Sequence, residues 1–407
     1  MTGRHAAPEW SIVMPCLDEA QTIALCVRQA RAFLDRHGLR GEIVVADNGS
    51  TDGSPEVASR AGARVIHVDA RGYGAAVQAA IEAARGRFVI MGDADATYDF
   101  GRLMPFVEGL RAGADLVMGD RFAGGIRPGA MPWKNRYIGN PVLSAIGRLF
   151  FHSSPRDFHC GLRAFSKEAW RRMDLQTTGM EYASEMVIKA TLLGLRIVDV
   201  PTTLGVEDPR RRSHLRPWRD GWRHLRFMLL FSPRWLFLYP GLALMAAGVI
   251  VGGWLLPGPR RIGAIELDVH TLVYCAIAVL IGFQAVCFAV LANRFAVGEG
   301  LLPPSSRLDL PYRRATLETG LAAGGALIVS GLAASIGAVW WWRSRSFGPL
   351  DPRQTLRAVI PAAVALTLGC QIVLSAFFLS VLGLRVRDRS AAGEPEPSYA
   401  IRARSTR

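Results

Sequence analysis

Phe88-Val-Ile-Met91 runs directly into Gly92-Asp93-Ala94-Asp95. Four consecutive apolar residues read as a strand buried on both faces. Residues two apart on extended backbone project to the same side, so Asp93 and Asp95 present two carboxylates to one place at the carboxyl end of that strand. Outward from this point the pattern repeats. Trp10–Cys16 is a short apolar strand containing Pro15. Asp18–His37 carries helical spacing (Ile23, Val27, Ala30, Phe33, Leu34) and closes at Gly38. Glu42–Ala46 is β-branched and stops at Asp47-Asn48-Gly49, a strong turn signal. A helix over 53–61, a strand over 64–68 and a helix over 73–84 follow, which makes the strand before Asp93 the fourth. The alternation predicts an α/β fold with a doubly wound, mostly parallel sheet. Such sheets bind ligands beyond the carboxyl ends of their strands, which singles out Pro15, Asp18, Asp47, Asp69, Arg71, Asp93 and Asp95.

The chain changes character after this domain. From Trp235 it holds four uncharged stretches, 235–256, 271–292, 319–342 and 358–384, each long enough for the roughly 20 residues that span a bilayer. Arg234, Arg294, Arg343, Arg357 and Arg385 flank them, and Trp340-Trp341-Trp342 marks one boundary. Seven arginines lie between Arg210 and Arg226, interleaved with Trp218, Trp222, His214 and His224, as suits an interfacial helix on anionic lipid. Expected units are a soluble domain (1–207), a basic juxtamembrane segment (208–233), four spans (234–385) and a polar tail (386–407). Positive-inside reasoning puts both termini in the cytoplasm, and the absence of an opening signal peptide agrees. The expected location is a bacterial inner membrane. Gly320-x-x-x-Gly324 and Gly331-x-x-x-Ser335 permit close helix contact, with packing inside the chain the favoured use and a homo-oligomer the alternative.

Composition removes several classes. The 407 residues are 50% apolar and carry 48 Lys+Arg against 34 Asp+Glu, a formal charge of +14. That apolar fraction excludes a disordered chain. None of the six cysteines forms a CxxC or Cys/His cluster, which argues against a disulfide framework or a zinc site. The basic stretch lies too close to the membrane to suit nucleic acid.

Three constellations carry chemistry. Asp93 and Asp95 are hard oxygen ligands, few in number, which suits Mg²⁺ or Mn²⁺ shared with a phosphate. In Asp47-Asn48-Gly49-Ser50-Thr51-Asp52-Gly53, Asp47 can accept hydrogen bonds from a base or ribose and Ser50 or Thr51 can cap the next helix. In Asp157-Phe158-His159-Cys160-Gly161-Leu162-Arg163, a loop Asp precedes a Gly-punctuated strand and Arg163 can fork onto a phosphate. His159 and Cys160 are sequence neighbours that point apart in a strand, which disfavours a nucleophile pair. Gly72-Tyr73-Gly74 opens like a dinucleotide fingerprint but has Val77 at its third small position.

These blocks, together with Ser11–Glu19 and Gly119-Asp120-Arg121-Phe122, occur in the order of family 2 glycosyltransferases and most resemble polyprenyl- or dolichyl-phosphate sugar synthases over residues 10–230. The resemblance implies a GT-A-like domain. It implies a nucleotide pocket from Pro15, Leu17, Glu19 and Asp47, and a metal and diphosphate site at Asp93 and Asp95. It assigns Arg121, Arg136 and Arg163 to the acceptor phosphate and Asp157 to the acceptor side, as base or orienting group, with Glu181 and Glu185 as substitutes. One departure is Thr97, where many relatives place a Gln that joins the metal shell. The implied reaction is inverting transfer of a hexosyl group, glucose or mannose, from a UDP- or GDP-linked donor to polyprenyl phosphate. A transferase to another membrane lipid and a non-catalytic nucleotide-sugar-binding scaffold are the alternatives. A processive synthase is disfavoured, because Phe231-Ser232-Pro233 stands where Gln-x-x-Arg-Trp would be expected.

Overall fold

The computed structural model describes residues 7–207, 217–299, 302 and 316–383. The arginines of 210–216, His214 and the tail 386–407 lie outside the described residues. Two compact units divide the chain: Met1–Pro240 with Glu299–Pro304, and Gly241–Gly298 with Ser305–Arg407.

In the first unit the expected alternation is present. The elements are β1 (Trp10–Cys16), α1 (Ile23–Arg36), β2 (Gly41–Asp47), α2 (Ser54–Arg60), β3 (Arg64–His67), α3 (Tyr73–Ala83) and β4 (Phe88–Met91). They continue with α4 (Met104–Arg111), β5 (Leu116–Asp120), α5 (Arg121–Gly124), α6 (Asn140–Phe151), β6 (Arg163–Ser166), α7 (Lys167–Met173), α8 (Tyr182–Leu192), β7 (Ile197–Pro201) and α9 (Pro217–Leu230). Seven strands form one sheet in the order β3-β2-β1-β4-β6-β5-β7. All neighbours are parallel except β6, which runs antiparallel to both β4 and β5. The sheet is therefore mostly parallel and GT-A-like.

Alternation along the strands feeds two cores. Trp10, Ile12, Met14, Ile43, Val45 and Ile90 pack with α1 and α4 on one face. Val13, Val44, Ala46, Val89 and Met91 pack with α3, α7 and α8 on the other. Burial on both faces accounts for the continuous apolar runs of β1, β2 and β4.

Four helices are long and apolar enough to cross a membrane: Arg234–Leu255, Val269–Gly298, Leu317–Ser344 and Pro352–Leu382. The chain is a membrane protein. Each helix overlaps an expected stretch: the second and third extend beyond both ends of theirs, while the first and fourth begin earlier and stop one and two residues short. In the second unit, Gly324 and Gly331 lie against Gly369 and Ala362, where an added Cβ would meet backbone oxygens at 2.8 and 2.9 Å. The small-residue stripe is thus engaged within the chain, where it lets two helices approach closely.

Candidate active site

The site grows from the carboxyl ends of β1, β2 and β4. Asp18, just past β1, adopts φ +54, in the left-handed region. Its carboxylate accepts from the Thr51 backbone N–H at 2.8 Å, and its own N–H donates to Ser50 Oγ at 2.9 Å. Glu19 N–H donates to Ser54 Oγ (2.7 Å) and Ala20 N–H to Asp52 (2.9 Å). The hydroxyls expected to cap α2 instead lace the β1 and β2 loops together, and Gly53 takes the cap position.

Asp47 is buried. Its Oδ1 accepts from Ser50 N–H at 3.1 Å, and its Oδ2 from Gly49 N–H at 3.4 Å and His67 Nδ1 at 3.2 Å. Asn48 extends the lacing to the next loop: its amide donates to Val68 O and Ala70 O and accepts from Gly72 N–H. The Arg71 guanidinium stands over Gly49. Glu19 is buried, with Oε2 accepting from Thr22 Oγ1, while Pro15 and Leu17 are half-buried beside it. Asp69 is exposed.

Beyond β4, Ala94 is buried while Asp93 and Asp95 stay half-buried. Tyr73 donates its hydroxyl to Asp93 Oδ1 at 3.1 Å. Thr97 donates both N–H (3.1 Å) and hydroxyl (2.6 Å) to Asp95 Oδ1. Thr97 therefore orients a carboxylate from behind, a contact the sequence comparison with Gln did not reveal. Burial and the Asp93 carboxylate hold the Tyr73 phenol well above its ordinary pKa, so it remains a donor. A divalent ion fits this donor set: two hard carboxylates, each oriented by a neighbouring hydroxyl. Among the described residues no cluster of three or more His, Cys, Asp or Glu could enclose an ion, so such an ion would share its shell with phosphate and water.

The loop before β6 packs against this point. Gly161 approaches so closely that an added Cβ would stand 2.2 Å from Asp93 Oδ2, and its N–H donates to Tyr98 Oη at 2.9 Å. Asp157 is fully buried. It accepts from Arg121 Nε (2.6 Å), Arg121 Nη2 (2.8 Å), Arg121 N (3.3 Å) and His159 N (3.3 Å). A carboxylate offers about four lone-pair sites, and all four are taken. In this geometry Asp157 aims the Arg121 fork.

Arg163 also departs from expectation. It is fully buried, and its guanidinium donates to the carbonyls of Cys160 (2.8 Å), Phe158 (2.8 Å) and Ala183 (2.5 Å). Three of its five N–H donors go to backbone and none of its surface is exposed, so it braces the loop. Arg136 lies on the turn Asn135–Gly139 with its guanidinium over the Tyr137 ring. Among the described residues no hydrogen bond or ion pair ties it to Arg121 or Asp157. Glu185 is likewise corrected: buried, it accepts from Gln176 N, Thr177 N and Thr177 Oγ1 and pairs with Lys189. Cys160 and His159 do not form a nucleophile pair. Burial pushes the thiol up to about 11 and holds the imidazole well below its usual pKa.

Tyr73, Tyr98, His67 and the His159–His224 contact escaped sequence reasoning. The two histidine rings meet edge-on at 4.5 Å, and His224 Nδ1 reaches Ser184 Oγ at 2.8 Å. They bring α9 against the loop of Asp157. No spacing rule couples residues so far apart in the chain.

Comparisons with known proteins follow the same division. Residues 11–173 match glycosyl transferase family 2, and residues 290–383 match the glycosyltransferase family 2 C-terminal transmembrane region. The low-salt glycan biosynthesis hexosyltransferase Agl6 of Haloferax volcanii is 37% identical over 93% of this chain and 90% of its own. A dolichyl-phosphate hexose transferase from the same organism is 32% identical over 47% of this chain and 80% of its own. The crystal structure of glucosyl-3-phosphoglycerate synthase from Mycobacterium tuberculosis with phosphoglyceric acid superposes on 55% of this chain and 79% of that one, with TM-score 0.44 and 25% identity.

Proposed function

The chain belongs to glycosyltransferase family 2, and from that premise we propose that it transfers a hexosyl group from a nucleotide-diphospho-sugar to polyprenyl phosphate, with inversion and with a divalent cation. The observation that carries the reading is one junction. Asp93 at the end of β4 touches the Asp157–Arg163 loop through Gly161, in a chain with four membrane-capable helices. A donor-side acid thus adjoins the loop whose Asp157 aims a buried arginine, within a membrane protein.

The roles divide accordingly. Asp47, Glu19, Pro15 and Leu17 line the nucleotide pocket. Asp93 and Asp95 would hold Mg²⁺ or Mn²⁺, which when bound offsets charge developing on the departing nucleoside diphosphate. Arg121, held by Asp157, orients the acceptor phosphate. A phosphate monoester has a second pKa of about 6, so near neutrality the acceptor is already an oxyanion. It needs holding in line with the anomeric carbon rather than deprotonation, which agrees with an Asp157 that has no free acceptor site.

The membrane setting has its own support. Phe150 of α6 stacks on Trp235 at 5.1 Å, at the start of the first span. Exposed Trp133, Tyr137, Ile138, Val142 and Leu149 lie on α6 and the turn before it. Such a face suits the lipid interface where the acceptor headgroup resides. Arg353 pairs with Glu266 and Asp268, and Arg357 with Asp268. The cluster of basic residues before the first span, Arg219, Arg223 and Arg226 among them, favours a cytoplasmic first unit.

The test is turnover by purified protein in detergent with Mn²⁺ or Mg²⁺, polyprenyl phosphate and a panel of nucleotide-sugars. Nucleoside diphosphate should be released only when the lipid is present, and mass spectrometry should find a hexosyl-phosphoryl-polyprenol. Transfer to diacylglycerol or another membrane lipid in the same mixture would replace the acceptor assignment. No release with any donor would support the scaffold reading.

A further inference from the structure

We propose that His67 makes the nucleotide pocket selective for a uracil-type base over guanine. The inference rests on the reading of Asp47 as the base-contacting acid.

His67 and Asp47 are paired last residues of the neighbouring parallel strands β3 and β2, so both side chains emerge at the carboxyl edge of the sheet. They differ in exposure: the His67 side chain is 73% accessible and that of Asp47 5%. An ionised carboxylate only accepts, so the Nδ1 that faces Asp47 Oδ2 at 3.2 Å carries the proton. Oδ2 then has two donors, His67 and the Gly49 N–H at 3.4 Å. Oδ1 has one, the Ser50 N–H at 3.1 Å. With about two lone-pair sites on each oxygen, the carboxylate keeps a single acceptor position, on Oδ1.

That count discriminates between bases. The edge of uracil offers one ring N–H between two carbonyls, so one acceptor position satisfies it. Guanine offers a ring N–H and an exocyclic amine side by side, which together match both oxygens of a free carboxylate. With His67 in place, guanine would leave a donor unpaired in the pocket or displace the imidazole. A site built around one hydrogen-bond pattern rejects the analogue that leaves polar groups unpaired. His67 is a specificity-determining residue here, acting through Asp47.

The test is isothermal titration of the full chain in detergent, with Mn²⁺, by UDP, dTDP and GDP. Wild type should prefer UDP and dTDP over GDP by at least about tenfold, the scale of one charge-assisted hydrogen bond. His67→Ala should shrink that ratio by a similar factor, raising affinity for GDP. His67→Gln, whose amide can donate to Oδ2, should restore it. Asp47→Asn should weaken UDP. If Asp47→Asn leaves every affinity unchanged, the base pocket itself is misplaced. If Asp47→Asn weakens UDP while His67→Ala leaves the ratio intact, or if wild type prefers GDP, the role of His67 is overturned and the pocket reading survives.

Discussion

Replacing Asp157 by Asn separates aiming from proton transfer. The side chain keeps its size, but one oxygen that accepts from Arg121 becomes an NH₂ group facing an N–H. Two guanidinium contacts, at 2.6 and 2.8 Å, depend on those oxygens. Both partners are buried, with side-chain exposures of 10% for Arg121 and 0% for Asp157, so solvent does little to screen the loss. Breaking one side of a buried pair costs about 3–5 kcal/mol, because the remaining charge is uncompensated. Burial alone would lower the Arg121 pKa, but Tyr98 and the Asp157 pair outweigh it and hold it well above its ordinary value. A guanidinium is not deprotonated in proteins, so Arg121 stays cationic in the variant and its fork is free to swing. The expected result is a rise in acceptor KM, with kcat/KM for polyprenyl phosphate down by about 100-fold or more. Donor KM should be unchanged. In a cycle of Arg121→Ala, Asp157→Ala and the double variant, the double should be no worse than the poorer single. A loss confined to kcat, with unchanged acceptor KM and the acid limb of the pH–rate profile removed, would refute this reasoning and make Asp157 a general base.

Tyr73→Phe removes the hydroxyl from Asp93 without touching either carboxylate; the dissociation constant for Mn²⁺ with UDP, read by electron paramagnetic resonance, should rise about 10- to 100-fold, and chelation should stop turnover until Mg²⁺ or Mn²⁺ is returned. Glu42 bridges Ser11, Arg85 and Arg64; burial pushes its carboxyl up, but those bonds outweigh it and leave its pKa below the ordinary 4.5. A depressed carboxyl stabilises the fold above its unfolded value and loses that contribution as pH falls through its folded value. The melting temperature of wild type should therefore exceed that of Glu42→Gln near pH 7, and the gap should close below about pH 4; a gap independent of pH would count against the linkage.

The fold was legible because its signals are local. Apolar runs of 4–7 residues, turn residues at their ends and one helical face per crossover locate β1 to β4 without reference to distant contacts. The antiparallel insertion of β6 between β4 and β5 was not legible, since strand order depends on packing between elements up to about 75 residues apart. The site divides the same way. Asp93, Asp95 and Asp47 announce themselves by standing at strand ends. Arg163 does not disclose its role, because whether an arginine reaches solvent or donates to Cys160, Phe158 and Ala183 depends on how the loop before β6 folds back on α8. Tyr73 and His67 reach acids some 20 residues away, across strands whose register only the assembled sheet sets.

Arg163 shows how a buried cation can be tolerated beside an anion-binding site. Burial lowers its pKa, and among the described residues no carboxylate pairs directly with its fork. Its charge is met by three carbonyl oxygens, with the Asp157 carboxylate as a further favourable charge. Those carbonyls belong to the loop 158–160 and to the first turn of α8, so the guanidinium clasps two segments and thereby presses Gly161 against Asp93. A lysine has no planar fork and cannot span three diverging acceptors. Arg163→Lys should therefore loosen the loop and weaken metal binding at Asp93 without altering acceptor contacts. If the variant instead raised acceptor KM alone, with Mn²⁺ affinity intact, Arg163 would belong with Arg121 on the phosphate.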